Sequence, residues 1–299
     1  MACYEIEFPL ALHTCDAVEA ALLRIGACSI TYEDRGDEPV LEPAPGEMRL
    51  WRDTLVRALF DETEDAARSL CRLGGELGAA TLAAARVRAV ADRDWRRAWL
   101  ADWRSMRFGS HLWVCPTSAP PPPDLAAIVV RLDPGLAFGS GTHATTAMCL
   151  EGLCMLDLRA KSVLDYGCGS GILAIAALRL GAAEACCVDR DPQALTASRR
   201  NAIDNGVGAS LRTQDTAARL EPADCVLANI LAGTLIELAP TLGAACKPGG
   251  DLLLSGVLAE QEGAVTAAYR PHFAMVAVRR RDDWCCIHAR RRTAACGVS

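Results

Sequence analysis

The chain of 299 residues predicts an α/β fold preceded by a smaller α+β domain. Three observations carry that prediction. Residues 163–171 read Val-Leu-Asp-Tyr-Gly-Cys-Gly-Ser-Gly and run straight into the apolar stretch Ile172 to Leu178, the pattern of a short buried strand, a glycine turn and a helix N-terminus. From Val163 onward apolar strands alternate with helical stretches, which means a parallel sheet with helices on both faces. Residues 1–90 follow instead the order β-α-β-β-α-β of a ferredoxin-like unit.

Taken in order, Tyr4 to Leu10 alternates apolar and acidic positions, the period of a half-buried strand. Asp16 is placed to cap a helix with Val18, Leu22 and Ile25 on one stripe and Gly26 at its end. Ser29 to Glu33 makes a second strand, Asp34 to Gly46 a Pro/Gly-rich loop, and Thr54 to Phe60 a third strand. A second helix starts at Asp61 or Thr63 and stops before Gly74-Gly75, and Arg86 to Val90 closes the unit as a fourth strand. No cluster of catalytic residue types falls in it, so it reads as a recognition or docking module.

Trp95, Trp99 and Trp103 then recur every fourth residue, so one helical face carries three indoles, which pack a connecting helix or else offer an aromatic platform for a peptide or base. Phe108 to Val114 reads as a strand, Pro120 to Pro123 as a stiff surface segment and Ala127 to Leu132 as another strand. The boundaries that follow are 1–90, a linker over 91–125, a main domain over 126–292 and a tail over 293–299. Between Asp133 and Thr146 a glycine- and threonine-rich loop leads into a helix through Met148, Leu150, Leu153 and Leu156; it suits the wall of a ligand site, with Thr142, Thr145 or Thr146 able to cap the helix. Beyond the glycine turn the pattern predicts a strand to Val188, a helix over 192–205, a strand over 224–228, a helix over 230–246 and a strand over 251–256. Phe273 to Val278 and Trp284 to Ala289 have no helix between them and pair antiparallel at one edge.

Composition narrows the function. A net charge of -6 argues against general affinity for nucleic acid, whose phosphates demand a basic surface, and favours basic substrates. The 15 cysteines include no C-x-x-C pair, so neither a zinc site nor a disulfide framework follows and no metal is expected. No apolar run reaches the ~18 residues of a membrane span. The chain start lacks the order of a signal peptide, and a cytoplasmic protein is expected.

The spacing of the turn selects its ligand. Dinucleotide folds use G-x-G-x-x-G; here the third glycine comes one residue early and Asp165 precedes the turn, a place that repels pyrophosphate and welcomes an ammonium. About 20 residues on, Asp189 ends an apolar strand where a carboxylate holds ribose hydroxyls. A nucleoside carrying an amino acid, S-adenosyl-L-methionine, satisfies both aspartates; a purely structural turn and an NAD site are the alternatives.

Further stretches resemble one family. Asp92-Arg-Asp-Trp, Met106-Arg-Phe-Gly, Leu112-Trp-Val-Cys-Pro, Leu132-Asp-Pro-Gly-Leu-Ala-Phe-Gly-Ser-Gly-Thr-His, Ala228-Asn-Ile-Leu-Ala-Gly and Lys247-Pro-Gly-Gly are similar to the methyltransferases of large-subunit ribosomal protein eleven, the PrmA type. The resemblance implies a seven-stranded Rossmann-like methyltransferase domain behind a substrate-recognition domain. It also implies methyl transfer to lysine ε-amines and the N-terminal amine of that ribosomal protein, with no membrane or nucleic-acid partner. Carried over by motif, it implies cofactor contacts at Thr146, Gly167, Asp189 and Asn229, with Phe138 lining the pocket; Asp165, Gly169 and Gly171 join them from the turn itself. Ser140 and Ala144 stand where the family has Thr and Pro, and the loss of proline's preset φ at 144 loosens the loop without removing a contact.

Asn229 is the candidate that orients the amine through its carbonyl oxygen; its alternative is to cap the next helix. Ile230-Leu231 replaces the Pro-Pro that leads to a stacking aromatic in base- and amide-methylating relatives, which favours a flexible amine as substrate. His143 is a candidate proton acceptor, or else an orienter of its loop. A lysine methyltransferase of electron-transfer flavoprotein β-subunit and a non-catalytic module that binds the ribosomal protein are the competing functions.

Overall fold

In the computed structural model the described residues are 3–10, 14–36, 50–61, 65–90, 104–120, 122, 124, 126–133 and 141–293. They fall in two compact units, 1–98 and 99–299. The tryptophan stripe at Trp95, Trp99 and Trp103, the loop residues Phe138 and Ser140, and residues 294–299 lie outside the described set.

The first unit runs β1 (Cys3–Pro9), α1 (Cys15–Arg24), β2 (Ser29–Asp34), β3 (Thr54–Asp61), α2 (Ala66–Leu77), α3 (Ala79–Ala84) and β4 (Arg86–Val90). Its antiparallel sheet has the order β2-β3-β1-β4, the ferredoxin-like path. Alternation decides its faces: Tyr4, Ile6, Phe8, Val56, Ala58 and Phe60 point into a core shared with Val18, Leu22 and Leu73. Two helix limits differ from the sequence reading. Thr14, not Asp16, caps α1, and Asp65, not Asp61 or Thr63, caps α2. Helix α2 also continues through Gly74-Gly75, because a residue larger than glycine at 74 would put its Cβ 2.9 Å from Leu82 of α3; glycine serves close packing there and Gly78 ends the helix.

The second unit begins with β5 (Met106–Phe108), β6 (Leu112–Cys115) and β7 (Ile128–Arg131), a three-stranded sheet. The predicted single strand over 108–114 is therefore a hairpin, turned at Gly109 with φ 58°. Residues 106–115, assigned above to a linker, belong to this unit and bury Phe108, Leu112 and Val114 in its core. Next come α4 (Ala144–Leu153), β8 (Ser162–Tyr166), α5 (Ile172–Arg179), β9 (Glu184–Val188), α6 (Pro192–Asp204), β10 (Leu211–Gln214) and β11 (Ala223–Asn229). The chain ends with α7 (Ala232–Glu237), α8 (Ala239–Ala245), β12 (Cys246–Leu258), α9 (Glu262–Tyr269), β13 (Phe273–Arg281) and β14 (Trp284–Arg291). The helix expected over 230–246 is two helices, since Pro240 at the start of the second has no N–H to continue the first.

The seven strands are ordered β10-β9-β8-β11-β12-β14-β13, parallel through β12, with β14 antiparallel between β12 and β13. Only β13 of the predicted hairpin is therefore an edge strand. Helices α4, α5 and α6 cover one face, and α7, α8 and α9 the other. Strand order reverses between β8 and β11, and in such sheets ligands enter the crevice beyond the carboxyl ends of the strands at that point.

Candidate active site

At that crevice the glycine turn leaves β8 and the Asn229 segment leaves β11. Gly167 has φ 74°, and a Cβ there would lie 2.3 Å from Ile230 Cγ2, so the position admits no side chain. The amides of Gly167 and Cys168 both donate to Val188 O, at 2.8 and 3.1 Å. Gly171 N donates to Cys168 O, and Gly169 N to Asp189 Oδ2 at 3.0 Å. These bonds already take four of the amides that a pyrophosphate would need, those of Gly167, Cys168, Gly169 and Gly171. They favour the ammonium-bearing ligand over the NAD alternative.

Asp165 sits beneath the turn and is 1 % exposed. Its Oδ2 accepts from Ala174 N at 3.2 Å in the first turn of α5, while its Oδ1 has no hydrogen-bond partner among the described residues. Burial pushes the carboxyl up; the Ala174 N–H pulls against it and nearby Asp189 adds repulsion, leaving it at about 7. A buried acceptor with open capacity and a raised pKa is a place where a cation is stabilising.

Asp189 follows β9 and is half-buried. Besides Gly169 N it accepts Asp191 N through Oδ1 at 3.0 Å, and Asp191 in turn caps α6 through Gln193 N. A carboxylate oriented by two backbone donors keeps lone pairs for ribose hydroxyls. Asp215, just past β10, belongs to the same rim: Asp189 and Asp215 both help burial push the Tyr166 phenol up. Sequence reading missed Asp215; its signal was a third acid at a strand's carboxyl end.

Across the crevice Asn229 Nδ2 donates to Thr146 Oγ1 at 3.2 Å, which joins the end of β11 to the first turn of buried α4. Asn229 does not cap α7, whose N-cap is Leu231 with no side-chain bond. His143, not a threonine, caps α4: its Nδ1 accepts Thr145 N at 3.4 Å and lies 2.7 Å from Thr145 Oγ1, and its ring meets Trp284 edge-on at 5.0 Å. The structure thus brings Gly167, Gly169, Gly171, Asp165 and Asp189 to one wall and Asn229 and Thr146 to the other. Of the arginine run 279–281, Arg280 pairs with Glu262 and Arg281 with Glu151.

A doubly wound sheet with this strand order, a glycine turn after its first strand and acids at the next two strand ends defines the methyltransferase fold. Comparison with known proteins narrows the class. Residues 3–292 match the model of the family described as Ribosomal protein L11 methyltransferase (PrmA), and the chain belongs to that family. The ribosomal protein L11 methyltransferases of Serratia proteamaculans and Klebsiella pneumoniae are each 50% identical to it, over 91% of this chain and 93% of theirs. A crystal structure of ribosomal protein L11 methylase from Lactobacillus delbrueckii subsp. bulgaricus is 30% identical with TM-score 0.59, covering 64% of this chain and 100% of that one.

Proposed function

We propose that this protein transfers methyl groups from S-adenosyl-L-methionine to lysine ε-amines and the N-terminal α-amine of ribosomal protein L11. The observation that carries the substrate is the extent of the family match, residues 3–292, which takes in both compact units and not the catalytic domain alone. An electron-transfer flavoprotein methyltransferase is expected to differ in the first unit. The first unit selects the substrate. The cytoplasm, where ribosomal proteins are made, is the expected compartment; no helix among the described residues is long and apolar enough to cross a membrane.

The residues fit the cofactor. Asp165 Oδ1 is the acceptor for its ammonium, Asp189 holds the ribose, and Gly167, Gly169 and Gly171 let the backbone come close. When bound, the cofactor supplies an electrophilic methyl on a sulfonium. The protein's part is to hold a neutral amine in line with it, and lysine, with pKa ~10.4, must lose its proton to react. One N–H of Asn229 Nδ2 is committed to Thr146, which fixes the amide and leaves its Oδ1 to serve as the acceptor that aims the amine. Thr146 therefore acts by fixing that amide, and His143 by capping the helix that carries Thr146. Desolvation of the amine lowers its proton affinity.

The test is incubation of the purified protein with methyl-labelled cofactor and unmethylated L11, followed by mass spectrometry. Label on L11 lysines and N-terminus is expected. Label on RNA, on a metabolite or on another protein in place of L11 overturns the substrate.

A further inference from the structure

Asn229 ends a strand, and strand ends fray unless something holds the next residue. That residue is Ile230. On the β8 side lies Gly167, where any Cβ would come within 2.3 Å of Ile230 Cγ2. On the β12 side lies Gly256, φ 79°, where a Cβ would come within 2.4 Å of Ile230 O and 2.8 Å of its carbonyl carbon. Strands β8 and β12 are the two neighbours of β11. Ile230 N donates to Ser255 O at 3.2 Å, and Ser255 Oγ donates to Cys285 O at 3.0 Å. Ser255 and Gly256 together form a bulge, two residues of β12 set against Cys286 of β14, between the register pairs Leu254↔Ile287 and Val257↔Cys285. Bulges of this kind re-aim what lies beside them.

We propose that Ile230 is the positioning residue for Asn229, gripped by its side chain at Gly167 and by its peptide at Gly256, so that two left-handed glycines, one just past β8 and one in β12, set the direction of the amide. This rests on the role given to Asn229 above. The grip is asymmetric. Gly167 reads the β-branched methyl of residue 230, a stiff group; Gly256 reads a backbone carbonyl that every residue carries.

Different substitutions therefore behave differently. Ile230→Val keeps Cγ2 and is expected to retain kcat within about twofold, whereas Ile230→Leu, of equal volume but unbranched at Cβ, is expected to lose at least ~10-fold in kcat, since ångström-scale misplacement of a reacting group costs up to ~100-fold. Affinity for S-adenosylhomocysteine and the thermal midpoint should be the same in both variants. Gly167→Ala is expected to be strongly impaired and to regain at least ~10-fold in kcat when combined with Ile230→Ala, because the obstructing methyl is gone. Gly256→Ala should gain nothing from Ile230→Ala, its obstacle being backbone. Asn229→Ala serves as the control. If it keeps wild-type kcat, the role of Asn229 falls, and the proposal with it. If it is inactive while Ile230→Leu matches Ile230→Val in kcat, the grip alone is overturned, whatever the glycine variants do.

Discussion

Two aspartates buried in the same sheet end up in opposite states. Asp165, at the carboxyl end of β8, is 1 % exposed, holds one backbone N–H and leaves an oxygen without a partner. Asp251, some 13 Å along β12 from Ser255 toward the other end of the sheet, is 2 % exposed. It is surrounded: His288 Nε2 and Arg290 Nη2 reach Oδ1 at 2.9 Å each, and Lys161 Nζ lies 3.6 Å from Oδ2. Burial pushes Asp251 up as it does Asp165, but the bonds and charge of His288 and Arg290 outweigh it and hold the carboxyl at about 2. Asp224, bound by Ser162 and Lys247 at that same end, is held at about 2 despite its own burial. Burial of an acid thus says little about its use. Unspent bonding capacity distinguishes the end that binds from the end that braces.

The largest expected effect is at the bracing end. Asp251→Ala leaves His288, Arg290 and Lys161 facing one another without their anion, and should cost about 3 kcal/mol of unfolding free energy by urea titration, the low end for a buried pair because Arg290 is half in solvent. Activity per folded molecule should not change; a loss of activity in a variant of full stability would erase the distinction between the two ends. Asp251 is depressed relative to the unfolded chain, so its contribution is complete above about pH 4 and disappears as pH falls toward 2. Asp251→Asn should flatten that part of the acid unfolding curve.

At the binding end Asp189→Ala is expected to weaken S-adenosylhomocysteine by ~100-fold or more in calorimetry, two charge-assisted hydrogen bonds being lost. Unchanged affinity would remove Asp189 from the site. Next in size is the pH response of Asp165. Its raised pKa means the ligand-free protein holds a proton there below about 7 and loses stability as pH climbs from about 4 toward 7. An ammonium beside Oδ1 reverses the shift, so affinity should rise ~10-fold between about pH 6 and pH 7.5, with proton release visible as heat that depends on the buffer. Asp165→Asn should abolish both; a pH-independent wild type would put the ammonium elsewhere. The smallest effect is at Thr146. Thr146→Val should lower kcat about fivefold, the worth of one hydrogen bond, and Thr146→Ser should restore it.

Much of this was legible in the residues. Glycine at 167, 169 and 171, acids at 165 and 189, and a helix-strand alternation are local signals, and local signals place strand ends. What stayed hidden depends on partners far apart in sequence. Asp16 and Asp61 look as good a cap as Thr14 and Asp65, and only the packed helix decides. Gly74-Gly75 reads as a stop until Leu82 is seen to occupy the space beside it. Asp165 reads as a partner for an ammonium, but its burial and its open oxygen are apparent only once α5 is folded over it. That the amides of the turn are taken by Val188 and Asp189, at the end of the neighbouring strand, is likewise visible only in the folded chain.

The placing of β14 between β12 and β13 carries a consequence for how the chain is made. Strand β13 leaves the ribosome earlier yet has no neighbour to dock on until residues 284–291 emerge and slot in beside β12. The growing chain holds β12 with one edge open throughout the synthesis of β13, and the sheet closes only after Arg291 has cleared the exit tunnel.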